Sequence, residues 1–200
     1  MIDARFAILA AVVTVAGNAV YAVDTVRGNT QPNRVSWMLW TLAPMIAFAA
    51  EVTQGVGLQS LLTFAIGFGP LLVVCASFLD PKAYARVTLF DVLCGVLSLV
   101  ALVAWAVTGR GSVAIFLSIL ADFFGAVPTL RKSYRDPESE HAVAFLAGVT
   151  GSIITLLTIN AADWDFASWG FPVYVIVVSG AIALLILRPR LQRSLMGHSR

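Results

Sequence analysis

The chain of 200 residues is 59% hydrophobic and only 12% charged, and a mean hydropathy of +0.87 excludes a water-soluble globular domain of that length. A net charge of +2 leaves no electrostatic footprint for nucleic acid. What remains is an integral membrane protein, with its charges gathered in short segments between apolar stretches.

Seven apolar stretches follow in order, at 6–26, 35–50, 58–79, 87–107, 112–130, 142–159 and 166–187. Most reach or approach the ~20 residues that a helix rising ~1.5 Å per residue needs to cross ~30 Å of hydrocarbon. The first begins with Arg5 and passes small residues at 16–19, a pattern like a secretory signal. Its apolar run continues past Asn18 to Val26, so it is expected to stay as a span. Of the 13 Lys and Arg residues, Arg5 and Arg110 alone fall in the N-terminal segment and the second, fourth and sixth loops. Arg27, Arg34, Lys82, Arg86, Arg131, Lys132, Arg135, Arg188, Arg190, Arg193 and Arg200 fall on the other side. This asymmetry predicts an N-terminus outside the cell membrane and a C-terminus in the cytoplasm, with the basic tail against anionic lipid headgroups.

Cys75 and Cys94 sit inside apolar spans with no CxxC spacing and no neighbouring His, which suggests packing rather than metal or redox chemistry. No cofactor is implied. Trp37 and Trp40 open the second span, Trp105 closes the fourth, and Trp164 and Trp169 flank the turn before the seventh. Those are depths at which an indole anchors to the membrane interface. Trp37 and Trp40 are three apart and share a helix face, so one of them is free to line a cavity instead.

The first and fifth spans match at an offset of 104: Ala10, Ala22, Val23, Thr25 and Arg27 fall on Ala114, Ala126, Val127, Thr129 and Arg131, and Asn18 falls on Asp122. One residue later in register Pro32 falls on Pro137. If spans one to three and five to seven are repeats, the fourth returns the chain to its starting face. Both units then enter the membrane in the same direction, as parallel repeats.

At the end of the fifth span the chain reads Ala121-Asp122-Phe123-Phe124-Gly125-Ala126-Val127-Pro128-Thr129-Leu130-Arg131-Lys132, then Asp136-Pro137. This resembles the PQ-loop motif of the superfamily that includes SWEET sugar transporters, cystinosin-like carriers and the KDEL receptor. Pro128 stands at the motif proline and Thr129 where glutamine is usual; in the first repeat Asp24 replaces the proline and Thr25 follows it. The resemblance implies an all-α membrane protein of seven transmembrane helices. Residues 1–80 and 111–188 would form two three-helix bundles, 81–110 a linker helix and 189–200 a basic cytoplasmic tail. It also implies sugar-binding asparagines on the third and seventh helices, and neither 58–79 nor 166–187 contains one.

Asp122 lies about ten residues into its span, near the bilayer midplane at ~1.5 Å per residue. A carboxylate at that depth must be paired, hydrated or protonated, and intramembrane acids commonly mark solute or proton paths. Asn18 occupies the matching depth, so a pseudo-twofold would put both residues on one central cavity; the plainer alternative for each is a helix–helix hydrogen bond. Pro128 is expected to bend the fifth helix, either as a hinge or as a static kink. Asp24 stands three residues before Arg27, a spacing for an exposed ion pair. Asp91 is expected to be a packing feature of the linker helix. Glu51 and Asn160, with Asp163 and Asp165, suggest an acidic outer mouth that favours cations.

These features predict a small-solute carrier working by alternating access on a polar or cationic solute, with proton coupling through Asp122 and a homo-oligomer left open. The alternative is a non-transporting receptor or assembly protein on the same scaffold. A retinal protein needs a lysine buried in the last helix, whereas Lys82 and Lys132 both lie in loops. His141 and His198 fall outside the spans, so no enzyme constellation is visible.

Overall fold

The computed structural model describes residues 2–79, 87–108 and 111–197. Seven α-helices follow in order: α1 (Phe6–Val26), α2 (Arg34–Thr53), α3 (Ser60–Ser77), α4 (Leu89–Thr108), α5 (Gly111–Arg135), α6 (Val143–Thr158) and α7 (Phe166–Gly197). Among the described residues there is no strand, and two 3₁₀ turns, Pro137–Ser139 and Ala161–Asp163, bracket α6. Four helical segments, Phe6–Val26, Arg34–Thr53, Ser60–Ser77 and Phe166–Pro189, are long and apolar enough to cross a membrane.

The side chains are arranged inside out relative to a water-soluble protein. Val12, Leu42, Leu157, Val177 and Leu184 are exposed, while Thr14, Thr25, Ser36, Thr63, Ser118 and Thr155 are buried. Apolar faces turned outward over whole helices are stable only against lipid, and backbone polar groups satisfied within each helix suit the same surroundings. The chain is therefore an all-α membrane protein.

Local signals set several of the boundaries. Asn33 precedes α2 and its Oδ1 accepts from the amides of Val35 (3.0 Å) and Ser36 (3.3 Å). Thr88 and Asp91 form a capping box at α4, the Thr88 amide donating to Asp91 Oδ2 at 2.6 Å and the Asp91 amide to Thr88 Oγ1 at 3.4 Å. Asp91 is thus a helix-start residue, more specific than the packing role expected of it. α7 runs through Pro189 to Gly197, so the segment expected as a tail begins as helix. The apolar pattern ends at Leu187, but a helix needs no apolar face to continue once it leaves the hydrocarbon.

Followed round, the packing runs α1–α3–α2–α5–α7–α6 and back to α1, a closed ring of six helices, while α4 packs on α5 and, more lightly, on α2. The α1–α6 seam is tight because Gly17 lets the backbones approach: a Cβ there would lie 2.2 Å from that of Ala147. One end of the ring carries Arg27, Arg34, Arg131, Lys132 and Arg188. It is identified by cross-links between helix ends, Arg34 donating to the Ser77 carbonyl and Arg188 to that of Tyr134. The opposite end brings the amide of Ile2 to Leu157 O (3.0 Å) and Gln59 Nε2 to Thr158 O (3.3 Å). Lys82, Arg86, Arg110, His198 and Arg200 lie outside the described residues, as do the side chains of Cys94, Trp105, Arg190 and Arg193.

Candidate functional site: a central cavity

A cavity of about 60 Å³ sits at the centre of the ring. A single water needs ~10–15 Å³ by this measure, so there is room for several waters or a small solute. All six ring helices contribute to the wall, and no described side chain of α4 does. The polar lining comes from Thr14 and Asn18 on α1, Asp122 on α5, and Tyr174 and Ser179 on α7. The aromatic lining comes from Trp37 and Trp40 on α2 and Phe145 on α6.

Asp122 lies about the middle of α5 and is 5% exposed. Its Oδ2 accepts from the Tyr174 hydroxyl at 2.6 Å, while Oδ1 is buried with no partner among the described residues. Asp122 is thus a hydrogen-bonded carboxyl at a cavity wall, with one oxygen left over. Asn18 reaches the same cavity from α1, but no hydrogen bond joins it to Asp122 among the described residues. Its Nδ2 instead donates to Thr14 O on its own helix, at 2.9 Å. Gly69 on α3 makes room for that side chain: a Cβ at Gly69 would lie 2.6 Å from Asn18 Cγ.

Both Trp37 and Trp40 line the cavity, where their shared helix face had allowed for one of them. The reason is packing. Trp37, 2% exposed, meets Tyr21 with ring centroids 4.7 Å apart and Trp40 edge-on at 5.3 Å. Trp40 meets Phe145 at 5.9 Å. Ring edges against ring faces make this a favourable aromatic cluster. Trp37 Nε1 within it has no partner. Trp164 is exposed, as an anchor should be, and Trp169 is half-buried against Phe166 at 5.4 Å.

Beyond the aromatic cluster the basic end is tied shut. The Tyr21 hydroxyl donates to Glu140 Oε2, and Lys132 Nζ pairs with Glu140 Oε1 at 2.8 Å while also donating to the Gln31 carbonyl. Asp24 pairs with His141 Nδ1 at 2.8 Å. The pair expected between Asp24 and Arg27 is not the one formed, because Asp24 is taken by His141 from across the α1–α6 seam. The segment before α2 is thereby fastened to the segment before α6. Tyr21 and Glu140 escaped the sequence reading. The available signals were a phenol three residues after Asn18 on the same helix face, and a lone acid two residues ahead of an apolar run.

The other expected site residues lie apart from the cavity. Glu51, at the far end of α2, is 2% exposed and its Oε1 accepts from Thr63 Oγ1 at 2.9 Å, leaving Oε2 unpartnered. It belongs to a closed seam and not to an open acidic mouth, since α2 and α3 pack face to face there. Asn160 is exposed at the start of the Ala161–Asp163 turn and does not reach the cavity. Asp163 and Asp165 are exposed, and Asp165 Oδ1 accepts from the amide of Ser168 at 2.9 Å in the first turn of α7. α5 carries Pro128 inside a continuous helix that goes on to Arg135, and Thr129 is fully buried with an unpartnered hydroxyl.

A scan against protein-family models finds no match, and searches of curated proteins and of solved structures find none either. The chemistry must therefore be argued from the cavity. It offers an acid with a free oxygen, an amide, hydroxyls and aromatic faces, all reachable by one small molecule held at the centre of the ring.

Proposed function

We propose that this protein is a small-solute carrier that works by alternating access. In this reading α1–α3 and α5–α7 are two three-helix units set in parallel, and α4 is the linker that reverses the chain between them. The observation that carries it is the central cavity, lined from all six ring helices and walled by a buried acid with one oxygen that has no partner among the described residues. An intramembrane acid on a polar cavity is the usual mark of a solute or ion path.

The packing supports the repeat. Exchanging α1, α2 and α3 for α5, α6 and α7 turns the α1–α3, α2–α3 and α1–α6 contacts into α5–α7, α6–α7 and α2–α5, all of which are made. Asn18 and Asp122, which correspond in that exchange, both reach the cavity. The same plan, with seven spans, an outside N-terminus and the PQ-loop-like segment around Pro128, underlies the resemblance to SWEET-like carriers. The solute is small and polar or cationic, and Asp122 couples its movement to protons.

Purified protein in liposomes, challenged with a broad solute panel, should move at least one solute across the membrane. No flux for any solute, together with tight binding of a peptide or protein ligand, would replace the carrier with a receptor. Under an imposed pH gradient Asp122→Asn should lose accumulation but keep downhill exchange. Equal accumulation by the variant and the wild type removes Asp122 from the coupling role.

A further inference from the structure

The cavity is richer in acceptors than in donors, and we infer that its occupant is a small organic ammonium ion, a refinement that rests on the carrier reading. Asp122 Oδ1 is a buried acceptor with nothing to accept from. The Asn18 amide has already given an N–H to Thr14 O, and the Tyr174 hydroxyl has given its proton to Asp122. The Thr14 hydroxyl donates back to Ala10 O at 2.9 Å. Besides oxygen lone pairs, these groups keep on offer one further N–H of Asn18.

Two prolines add to the imbalance. Pro44 in α2 and Pro70 in α3 have no N–H, so the carbonyls of Trp40 and Ile66, four residues earlier, lose their usual helical donor. Trp40 and Ile66 are both on the cavity wall. On the donor side the wall keeps Trp37 Nε1, the Ser179 hydroxyl and the second N–H of Asn18, fewer groups than the acceptors.

Charge and shape point the same way. No Lys, Arg or His lines the cavity. Lys132, on the same helix as Asp122, is engaged with Glu140, which also accepts from Tyr21. The faces of Trp37, Trp40 and Phe145 are electron-rich surfaces of the kind that hold cations. Val175 and Val178 supply apolar wall for a short alkyl group. An ammonium head carries up to three N–H donors and a positive charge to a wall whose acceptors outnumber its donors and whose described lining has no basic side chain, whereas a carboxylate or phosphate would meet Asp122 head-on.

The test uses full-length protein in nanodiscs and three probes of similar size: propylammonium, propan-1-ol and propionate. Binding is read by thermal stabilisation and by tryptophan fluorescence, to which Trp37 and Trp40 contribute. Propylammonium should bind saturably and at least about tenfold more tightly than either of the others. Asp122→Asn should lower its affinity about tenfold or more, and Trp40→Leu severalfold. Equal responses to propylammonium and propan-1-ol in the wild type overturn the proposal without recourse to any variant, and so does unchanged affinity in a monodisperse Asp122→Asn protein. Charge movement on solid-supported membranes separates the two claims. Saturable propylammonium binding with no transport current keeps the ammonium site and removes the carrier. Flux of neutral solutes that propylammonium does not inhibit keeps the carrier and removes the ammonium site.

Discussion

The two ends of the helix ring are closed by different physics. At the basic end Tyr21, Glu140, Lys132 and Gln31 form a hydrogen-bonded latch over a cluster of aromatic rings, with Asp24 and His141 beside it. Toward the opposite end no such latch is formed among the described residues: Glu51 Oε1 accepts from Thr63 Oγ1, and the seams otherwise hold buried Ser118, Ser152 and Thr155. Hydroxyls without a described partner occur at the basic end too, at Ser36, Thr129 and Ser133. A latch of charged partners is directional and opens when its partners separate, whereas a packed seam resists through contact area alone. The difference teaches that the basic end is held by a few named partners, each of which can be removed singly, while the opposite end is held by packing spread over many residues.

The largest effect should come from breaking the latch. Glu140→Ala leaves Lys132 and Tyr21 without their shared acid, and removing one partner of a buried ion pair costs about 3 kcal/mol or more. Thermal unfolding in detergent should show that loss. Cysteines introduced behind the latch should also become reactive to aqueous reagents, and unchanged stability would deny the latch its role. Gly69→Ala comes next, at about 2 kcal/mol, because the new methyl meets Asn18 and overpacked interiors are penalised on that scale. It should also displace Asn18 and weaken solute binding, and a stability loss with binding intact would separate the two. Thr88→Ala removes one half of the α4 capping box and should cost about 1 kcal/mol with binding intact, since α4 has no part in the cavity. His141→Ala removes the more exposed pair of the basic end and should cost less than ~1 kcal/mol, so the ratio of Glu140 to His141 effects measures how much of the closure lies in the buried latch. Ser118→Ala should be the smallest, close to zero, because it deletes an unpartnered hydroxyl. A large loss there would show that this hydroxyl does have a partner and would break the contrast between the ends.

Much of the fold was legible because apolar length is a local property. The expected stretch 6–26 coincides with α1, and 35–50 and 142–159 differ from α2 and α6 by a few residues at their ends. The end of α7 was not legible: the hydrophobic signal stops at the membrane surface, whereas backbone hydrogen bonding carries on to Gly197. Asp122 and Asn18 stood out because polar groups deep in apolar runs are costly anywhere and so need a local reason. Tyr21 and Glu140 did not, since their contact joins residues 119 apart through closure of the ring. The partner of Asp24 was misread for the same reason. Spacing along one helix suggested Arg27, but the bond formed is to His141 across the seam.

α4 lies outside the ring and packs on α5 and α2, so it buttresses the α2–α5 seam and has no counterpart beside α1 and α6. The ring is therefore braced on one flank only. Bilayer thickness and lipid composition should act on the unbraced flank, so that a lipid wedged between α1 and α6 would perturb this protein where the same lipid against α4 would leave it untouched.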